Sequence, residues 1–324
     1  MESDCVYSGD SLELAQQLGT GQVQTIVTSP PYWHLRDYGV DGQLGLEKTP
    51  EEYVDKMVRI FSALRRGLRD DGTVWLNIGD SYARQAGDDS KKEHDGGLVR
   101  SGRVDKDGLA FPPGCNKPPS GLKAKDMIGI PWRLAFALQS DGWYLRQDII
   151  WHKPNPLPER VTDRCTKAHE YIFLLSKSPR YYFDQQAIKE PSSKNTHDRG
   201  NNVGPKVRMS ENAKTAGRNQ PRNNASFSNA ISGLVDTRNK RSVWSVGIGR
   251  YKGAHFATFP PKLIEPCILA GCPKGGIVLD PFAGSGTTLM VAAQNDRRYI
   301  GFELNPEYLP MIAKRVGEVQ RKLF

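Results

Sequence analysis

Apolar runs of strand length alternate with helix-like periodic segments at both ends of the chain. VQTIVTS at 23–29 and GGIVLD at 275–280 are short, continuous apolar stretches bounded by turn residues. Such stretches are typical of strands buried on both faces. The segment at 50–68, PEEYVDKMVRIFSALRRGL, instead repeats large apolar residues at helical spacing. This alternation predicts an α/β fold with a mostly parallel sheet.

The same alternation extends over most of the remaining apolar sequence. A further helix is predicted from IPWRLAFALQSDG at 130–142. Further strands are predicted from CVYS at 5–8, GTVWLNIGD at 72–80, WYLRQDIIWHK at 143–153, HEYIFLLSKS at 169–178 and RRYIGFEL at 297–304.

Two polar segments interrupt this pattern and set the predicted domain organisation. Residues 84–126 are rich in Gly, Pro and charge, which predicts a flexible loop. Residues 194–252 contain twelve Lys or Arg and three Asp or Glu, and few residues that build a core. We therefore predict a basic insertion at 191–253. It lies between a first half, 1–83 with 127–190, and a second half at 254–324.

Charge and cysteine content narrow the class of protein. The formal net charge of +9 and the pI near 9.2 favour a polyanionic partner, most often nucleic acid, over a merely solvated basic surface. The five cysteines include no CxxC pair, so a zinc knuckle or a disulfide framework is not expected. A reducing cytoplasm fits this usage. No apolar run approaches membrane-spanning length, so no membrane association is expected.

A glycine-containing loop follows the strand that ends at Asp280. In VLDPFAGSGTT at 278–288, Gly284 and Gly286 form a tight turn before a helix, and Glu303 ends the next strand. An acid at that position can bind ribose hydroxyls. The loop is neither GxGxxG nor GK[ST], which disfavours dinucleotides and triphosphates. A nucleoside cofactor without a phosphate chain is predicted, and a helix-opening turn without ligand is the alternative.

The second distinctive loop is TSPPYW at 28–33, directly after a buried strand. Its two prolines fix the backbone, and two aromatic side chains follow them. DPFAGSGTT resembles the S-adenosylmethionine-binding motif of amino-methylating DNA methyltransferases, and TSPPYW resembles their catalytic motif. The catalytic motif precedes the cofactor motif, which is the order of the β group. DIIWHKPNPLPER, HEYIFLLSKS and HFATFPPKLIEPCILAGC also resemble that group.

This resemblance implies a Rossmann-like S-adenosylmethionine-dependent methyltransferase fold. Its sheet should be seven-stranded and mostly parallel, with a circularly permuted motif order and an inserted target-recognition region. The cofactor would be S-adenosyl-L-methionine. The implied cofactor-binding residues, with Glu303 from the strand pattern, are Asp10, Thr258, Phe259, Pro260, Asp280, Pro281, Phe282, Ala283, Gly284, Ser285, Gly286, Thr287 and Glu303. Capping of the first helix is an equally good interpretation of Asp10.

The implied catalytic residues are Ser29, Pro30, Pro31 and Tyr32. An exocyclic amine on a base is a poor nucleophile because its lone pair is conjugated into the ring. Ser29 Oγ and the Pro30 carbonyl would accept hydrogen bonds from that amine, held in place by the prolines. Tyr32 would stack on a base extruded from the duplex. Methyl transfer would be direct, without a covalent intermediate or a metal.

The first residue of the catalytic motif bears on the target base. Serine there resembles the cytosine-N4 enzymes, whereas aspartate is usual in adenine-N6 enzymes. We therefore predict an N4-cytosine methyltransferase acting on double-stranded DNA. An adenine-N6 enzyme, an inactive DNA-binding protein of the same fold and a methyltransferase for RNA or protein are the alternatives. Pro266-Cys267 matches the nucleophile motif of 5-methylcytosine enzymes, but its apolar helix favours packing.

The partners follow from the same resemblance. The basic insertion is predicted to bind DNA through Lys206, Arg208, Lys214, Arg218 and Arg222. The alternative is a solvated linker. A cognate restriction endonuclease is a possible further partner whose presence the sequence leaves open, and both a monomer and a homodimer stay open.

Overall fold

A computed structural model describes residues 1–83, 122–192, 237–248 and 259–320. These residues divide into two compact units, one built from Met1–Ala187 and Arg241–Phe324 and the other from Ile188–Lys240. The first unit contains the α/β sheet. The second falls within the range predicted for the basic insertion, apart from its first residues.

The described residues contain ten strands. In chain order they are β1 (Cys5–Ser8), β2 (Val23–Thr28), β3 (Leu68–Ile78), β4 (Tyr144–His152), β5 (His169–Ser176), β6 (Glu190–Pro191), β7 (Thr237–Arg238), β8 (Val243–Ser245), β9 (Ile277–Asp280) and β10 (Arg298–Glu303). The helices are α1 (Ser11–Gln16), α2 (Pro50–Gly67), α3 (Ile130–Ser140), α4 (Pro261–Gly271), α5 (Thr287–Gln294) and α6 (Leu309–Gln320).

Eight of these strands form one sheet in the order β1-β10-β9-β2-β3-β5-β4-β8. The first five strands in this order, β1, β10, β9, β2 and β3, pair in parallel with their neighbours. β5 pairs antiparallel with both β3 and β4, and β8 is parallel to β4. The predicted α/β fold with a mostly parallel sheet is thereby confirmed. The sheet has one strand more than the predicted seven, because Val243–Ser245 extends the edge at β4, with Trp244 opposite Trp151. This short strand lies inside the range 191–253 and belongs to the unit that contains the sheet, whereas the second unit spans Ile188–Lys240.

The chain order of the strands accounts for the position of the two motifs. β9, from the end of the sequence, lies between β10 and β2, and Ile26 is the register partner of Leu279. The strand that carries TSPPYW therefore neighbours the strand that carries the glycine loop, although about 250 residues separate them in sequence. Both loops leave the sheet at the carboxyl ends of parallel strands.

The core of this unit follows the predicted helical period. α2 is capped by Thr49, whose hydroxyl accepts from the Glu52 N–H at 3.2 Å, and it begins with Pro50. Its apolar face is buried at Tyr53, Val54, Met57, Ile60, Phe61 and Leu64. The capping residue and the buried stripe explain why this stretch forms the longest described helix.

Several predicted sites lie outside the described residues. They are the loop as far as residue 121, Thr258, and the five basic residues Lys206, Arg208, Lys214, Arg218 and Arg222. The described part of the inserted unit includes a short ribbon in which β6 pairs antiparallel with β7, and Arg238 is ion-paired with Glu190 at 2.8 Å. Among the described residues, no helix has the length and apolar character needed to span a bilayer.

Candidate active site

A single buried carboxylate joins the two motif loops. The Thr28 hydroxyl, at the end of β2, donates to Asp280 Oδ1 at 2.6 Å. The Thr288 hydroxyl, in α5, donates to Asp280 Oδ2 at 2.7 Å, and the Phe282 N–H donates to Oδ1 at 3.1 Å. Burial raises the pKa of Asp280 to about 6, against the effect of these hydrogen bonds. Asp280 therefore fixes the start of the catalytic loop relative to the glycine loop.

The glycine loop has the backbone geometry that its sequence predicts. Gly284 and Gly286 have φ angles of +51° and +74°, a region that side-chain-bearing residues rarely adopt. A Cβ at Gly286 would also lie 2.8 Å from Ile312 Cγ2 in α6. Gly286 is thus required by helix packing, whereas the requirement at Gly284 comes from the backbone conformation.

Arg315 supports this loop from behind. Its Nη1 donates to the Ser285 carbonyl at 2.7 Å, to Ser285 Oγ at 2.6 Å and to Thr287 Oγ1 at 3.2 Å. Ser285 and Thr287 are both buried. Their hydroxyls therefore hold the loop in shape, and any cofactor contact from these two residues stays a prediction.

The acid at the end of β10 lies against the same loop. Glu303 Oε2 accepts from the Gly284 N–H at 2.7 Å, and Oε1 accepts from the Asn305 N–H at 2.8 Å. Burial raises the pKa of Glu303 to about 7, although these two backbone hydrogen bonds lower it. A carboxylate oxygen can accept more than one hydrogen bond, so both retain capacity for a ligand hydroxyl.

Asp10 follows β1, which is the neighbour of β10. Its Oδ1 accepts from the N–H groups of Leu12 and Glu13 at 2.8 and 3.1 Å, which confirms the capping interpretation. The Gly9 N–H donates to the Glu303 carbonyl at 2.9 Å. Asp10 and Glu303 thus lie at adjacent strand ends, beside the glycine loop.

The other predicted cofactor-binding residues surround these groups. The Pro281 carbonyl accepts from the Ser11 hydroxyl at 2.6 Å, and the Ala283 N–H donates to the Phe302 carbonyl at 2.8 Å. Phe282 is partly buried against the hydrophobic core. Phe259 and Pro260 are buried directly before α4.

The catalytic loop is anchored at several points. The Tyr53 hydroxyl donates to the Pro31 carbonyl at 2.8 Å. The Trp33 side chain is buried, and its Nε1 donates to the Glu47 carbonyl at 3.0 Å. Pro30 is also buried. These anchors make the loop rigid before any substrate is bound.

Tyr32 is the centre of a hydrogen-bond network at this loop. Its hydroxyl donates toward Glu170 Oε2 at 2.8 Å and lies 3.2 Å from Asn77 Oδ1, while Ser29 Oγ donates to it at 3.4 Å. A Cβ at Gly79 would lie 2.7 Å from Tyr32 Cε2, so glycine is needed beside the ring. Burial, together with the charge of Glu170, raises the pKa of Tyr32 well above its usual value.

Three residues of this network were not identified from the sequence: Asn77, Lys153 and Glu170. Lys153 Nζ forms an ion pair with Glu170 Oε1 and lies 4.4 Å from the Trp151 ring centroid. The side chains of Lys153 and Glu170 are only 17% and 16% exposed. The sequence offered one signal for this pair. Glu170 lies near the start of a mostly apolar strand, and a buried charged side chain usually has a partner.

The cysteine of the Pro266-Cys267 pair lies outside this site. Cys267 is buried in α4, with Sγ 3.9 Å from the Leu263 carbonyl, as the packing interpretation predicts. Within the described ranges, no group of three or more His, Cys, Asp or Glu side chains has the geometry of a metal site.

The fold and the site together define a class. A mostly parallel sheet presents a glycine turn and an acidic strand end suited to a nucleoside. Beside them lies the rigid TSPPYW loop, which carries the Ser29 hydroxyl and the Tyr32 ring. These are the parts of a methyltransferase that takes S-adenosyl-L-methionine as its cofactor.

Comparison with known proteins identifies the family. The family model described as DNA methylase, N6_N4_Mtase, matches residues 23–315. Type II methyltransferase M.Cfr9I of Citrobacter freundii is 44% identical over 96% of this chain and 87% of its own length. Type II methyltransferase M.SmaI of Serratia marcescens is also 44% identical, over 96% of this chain and 90% of its own.

Two solved structures share the fold. PvuII DNA methyltransferase, described as cytosine-N4-specific, superposes with a TM-score of 0.60 at 19% identity, covering 100% of this chain and 93% of its own. TTHA0409 of Thermus thermophilus, in complex with S-adenosyl-L-methionine, superposes with a TM-score of 0.57 at 22% identity, covering 97% of this chain and 93% of its own. The chain belongs to the N6/N4 DNA methylase family and is an S-adenosylmethionine-dependent, amino-methylating DNA methyltransferase of restriction–modification type.

Proposed function

We propose that the protein transfers a methyl group to the exocyclic N4 amine of cytosine in duplex DNA. The observation that carries this proposal is a serine, Ser29, at the first position of the catalytic loop. Its hydroxyl donates to the Tyr32 hydroxyl, and the residue before it, Thr28, is hydrogen-bonded to Asp280 at the start of the glycine loop. PvuII DNA methyltransferase, which has the same fold and is described as cytosine-N4-specific, supports the N4 amine of cytosine as the target.

The chemistry requires groups that favour a tetrahedral amine nitrogen. Ser29 Oγ and the Pro30 carbonyl accept hydrogen bonds from the amine and draw its lone pair out of conjugation with the ring. Pro30 and Pro31 hold these acceptors in place, which lowers the cost of orienting the substrate. The Tyr32 ring stacks on the flipped base. The cofactor supplies an electrophilic methyl group on sulfur, and the chain supplies the position of the amine.

The rival reactions are separated by where the methyl group goes. Tritium from the labelled methyl of S-adenosyl-L-methionine should enter unmethylated genomic DNA, with RNA and protein failing to compete. After hydrolysis to nucleosides, the label should travel with N4-methyldeoxycytidine. Label in N6-methyldeoxyadenosine would support the adenine alternative, and no label would support an inactive DNA-binding protein. A cognate restriction endonuclease stays a prediction.

Glu303 is proposed to bind the cofactor ribose, and this gives a pH dependence. Because burial raises the pKa of Glu303 to about 7, the free protein holds a proton there below that pH. Ribose hydroxyls donate more strongly to the ionised carboxylate, so binding should release that proton. Cofactor affinity should therefore rise with pH, by about tenfold between pH 6 and pH 8.

Calorimetry across this pH range is the measurement, and Glu303→Gln is the matched control. The amide keeps the shape of the side chain without titrating, so its affinity should be weaker and independent of pH. A wild-type affinity that does not change over the same range would remove Glu303 from the ribose site.

The basic insertion is proposed to bind the DNA target. Lys206, Arg208, Lys214, Arg218 and Arg222 lie outside the described residues, and the proposal rests on their one-signed charge. Replacing all five by Ala should weaken DNA binding and leave cofactor affinity unchanged. The slope of log affinity against log salt should fall by about one for each DNA phosphate that the variant no longer neutralises.

A control at three exposed basic residues away from the motif loops tests for an effect of lost positive charge alone. Arg69, Lys274 and Arg298 are exposed at the amino ends of parallel strands, opposite the motif loops. Replacing these three should leave the salt slope nearly unchanged. If the five-residue variant behaves like this control, the segment is a solvated linker.

A further inference from the structure

We infer that Glu170, Asn77 and Tyr32 set the direction of the hydrogen bonds at Ser29, so that Ser29 Oγ presents lone pairs to the target amine. Glu170 and Asn77 are positioning residues in this scheme, because they act through Tyr32 and do not contact the base. The inference rests on the proposed function, in which Ser29 accepts a hydrogen bond from the amine.

The argument begins with the ambiguity of a hydroxyl group. A serine side chain has one O–H donor and two acceptor lone pairs, and its hydrogen rotates to suit its neighbours. The serine can help to activate the target amine only when its oxygen accepts a hydrogen bond from that amine. A hydroxyl that donates toward the base would compete with the amine hydrogens. The site therefore needs a partner that takes the Ser29 hydrogen away from the base.

Tyr32 is that partner, because its own hydrogen is already committed. Two acceptors face the Tyr32 hydroxyl, Glu170 Oε2 at 2.8 Å and Asn77 Oδ1 at 3.2 Å. Tyr32 has one hydrogen, and whichever acceptor takes it, the phenol oxygen is left to accept. Ser29 Oγ, at 3.4 Å, donates to it. That distance is long for an O–H···O bond, as is common at catalytic hydrogen bonds before the substrate binds.

Neighbouring groups fix the orientation of both acceptors. Lys153 offers only donors and pairs with Glu170 Oε1, which keeps the carboxylate turned with Oε2 toward Tyr32. Asn77 Nδ2 donates to the Tyr171 carbonyl at 3.0 Å, which turns its Oδ1 toward Tyr32. The high pKa of Tyr32 keeps its hydrogen present at neutral pH. Donor direction thus runs from Ser29 through Tyr32 to Glu170.

Antiparallel pairing brings this network together. β5 runs opposite to β3 and β4, so its first residues meet the carboxyl ends of both, with Tyr171 opposite Ile78 and His169 opposite His152. Glu170, near the start of β5, therefore lies at the same end of the sheet as the catalytic loop.

Two double-mutant cycles test the inference, read as the single-turnover rate of methyl transfer. Tyr32→Phe keeps the ring but removes the relay, and should slow the rate about tenfold, with DNA and cofactor affinities unchanged. Glu170→Gln should slow it by a smaller factor, since Lys153 turns the amide oxygen to itself and the NH₂ group toward Tyr32. In the Tyr32→Phe background, Glu170→Gln should cost nothing further.

The second cycle asks whether the Tyr32 hydroxyl acts through Ser29. Tyr32→Phe should have no further effect in the Ser29→Ala background, whose slower rate stays measurable in single turnover. Tyr53→Phe is the matched control: its hydroxyl also bonds this loop, at the Pro31 carbonyl, but not Ser29. Tyr53→Phe should slow the single-turnover rate by the same factor in the wild type and in every variant background.

Multiplicative losses in either Tyr32 cycle would overturn the inference, because the hydroxyl or the carboxylate would then act independently. Loss of DNA or cofactor affinity in Tyr32→Phe, in place of a slower rate, would do the same. The outcome is separable from the target base. If hydrolysed product contained N6-methyldeoxyadenosine, the N4 proposal would fail while the cycles still reported whether the relay operates.

Discussion

Gly284→Val is expected to abolish binding of S-adenosyl-L-methionine. The residue has a φ of +51°, which a β-branched side chain rarely adopts, and the Cβ would project from the loop that must approach the cofactor. The Gly284 N–H also donates to Glu303, so a shifted backbone would displace the acid as well. Isothermal titration calorimetry should show a loss of at least about 100-fold in affinity, on the order of 2.7 kcal/mol.

Gly275→Val is the control for backbone strain alone. Gly275 has a φ of +75°, and a Cβ there would meet nothing within 4 Å. It lies before β9, at the opposite end of that strand from the glycine loop. This variant should lose stability yet bind the cofactor as the wild type does. If Gly284→Val retained the wild-type affinity in a folded protein, the glycine loop would not be the cofactor site.

Tyr32→Ala is expected to have the second largest effect, on the rate of methyl transfer. It removes both the stacking face for the flipped base and the hydroxyl that binds Ser29 and Glu170. Stacking alone contributes roughly 1–3 kcal/mol per base. The single-turnover rate should fall well below that of Tyr32→Phe, which keeps the ring. Cofactor affinity should stay within about twofold, because no bond links Tyr32 to the glycine loop directly.

Fluorescence of a 2-aminopurine placed at or beside the target base gives an independent check of this variant. The wild type should increase the fluorescence as the base leaves the stack, and Tyr32→Ala should reduce that signal. A transfer rate within twofold of the wild type would remove Tyr32 from the base pocket.

The sequence predicted the loops better than it predicted what holds them. Ser29 and Gly284 belong to short motifs whose backbone requirements are local, so their residue types reveal their positions. Asp280 was also identified, but its partners Thr28 and Thr288 were not. The Thr28–Asp280 bond depends on β9 inserting beside β2, a register set by the whole sheet.

The network around Tyr32 was missed for the same reason. Glu170 lies 138 residues from Tyr32 in sequence, and only the antiparallel pairing of β5 brings the two together. The eighth strand shows the opposite difficulty. Val243–Ser245 lies in a polar, basic segment, and only Trp244 is buried there, so its short apolar pattern did not indicate a strand.

The central claim is most directly tested by mass spectrometry of nucleosides from the DNA of a methylation-deficient host that expresses the chain. Ser29→Ala, expressed at the same level, is the matched control. The N4 proposal predicts N4-methyldeoxycytidine with the wild type, little or none with Ser29→Ala, and no N6-methyldeoxyadenosine with either. N6-methyldeoxyadenosine in place of N4-methyldeoxycytidine would contradict the account.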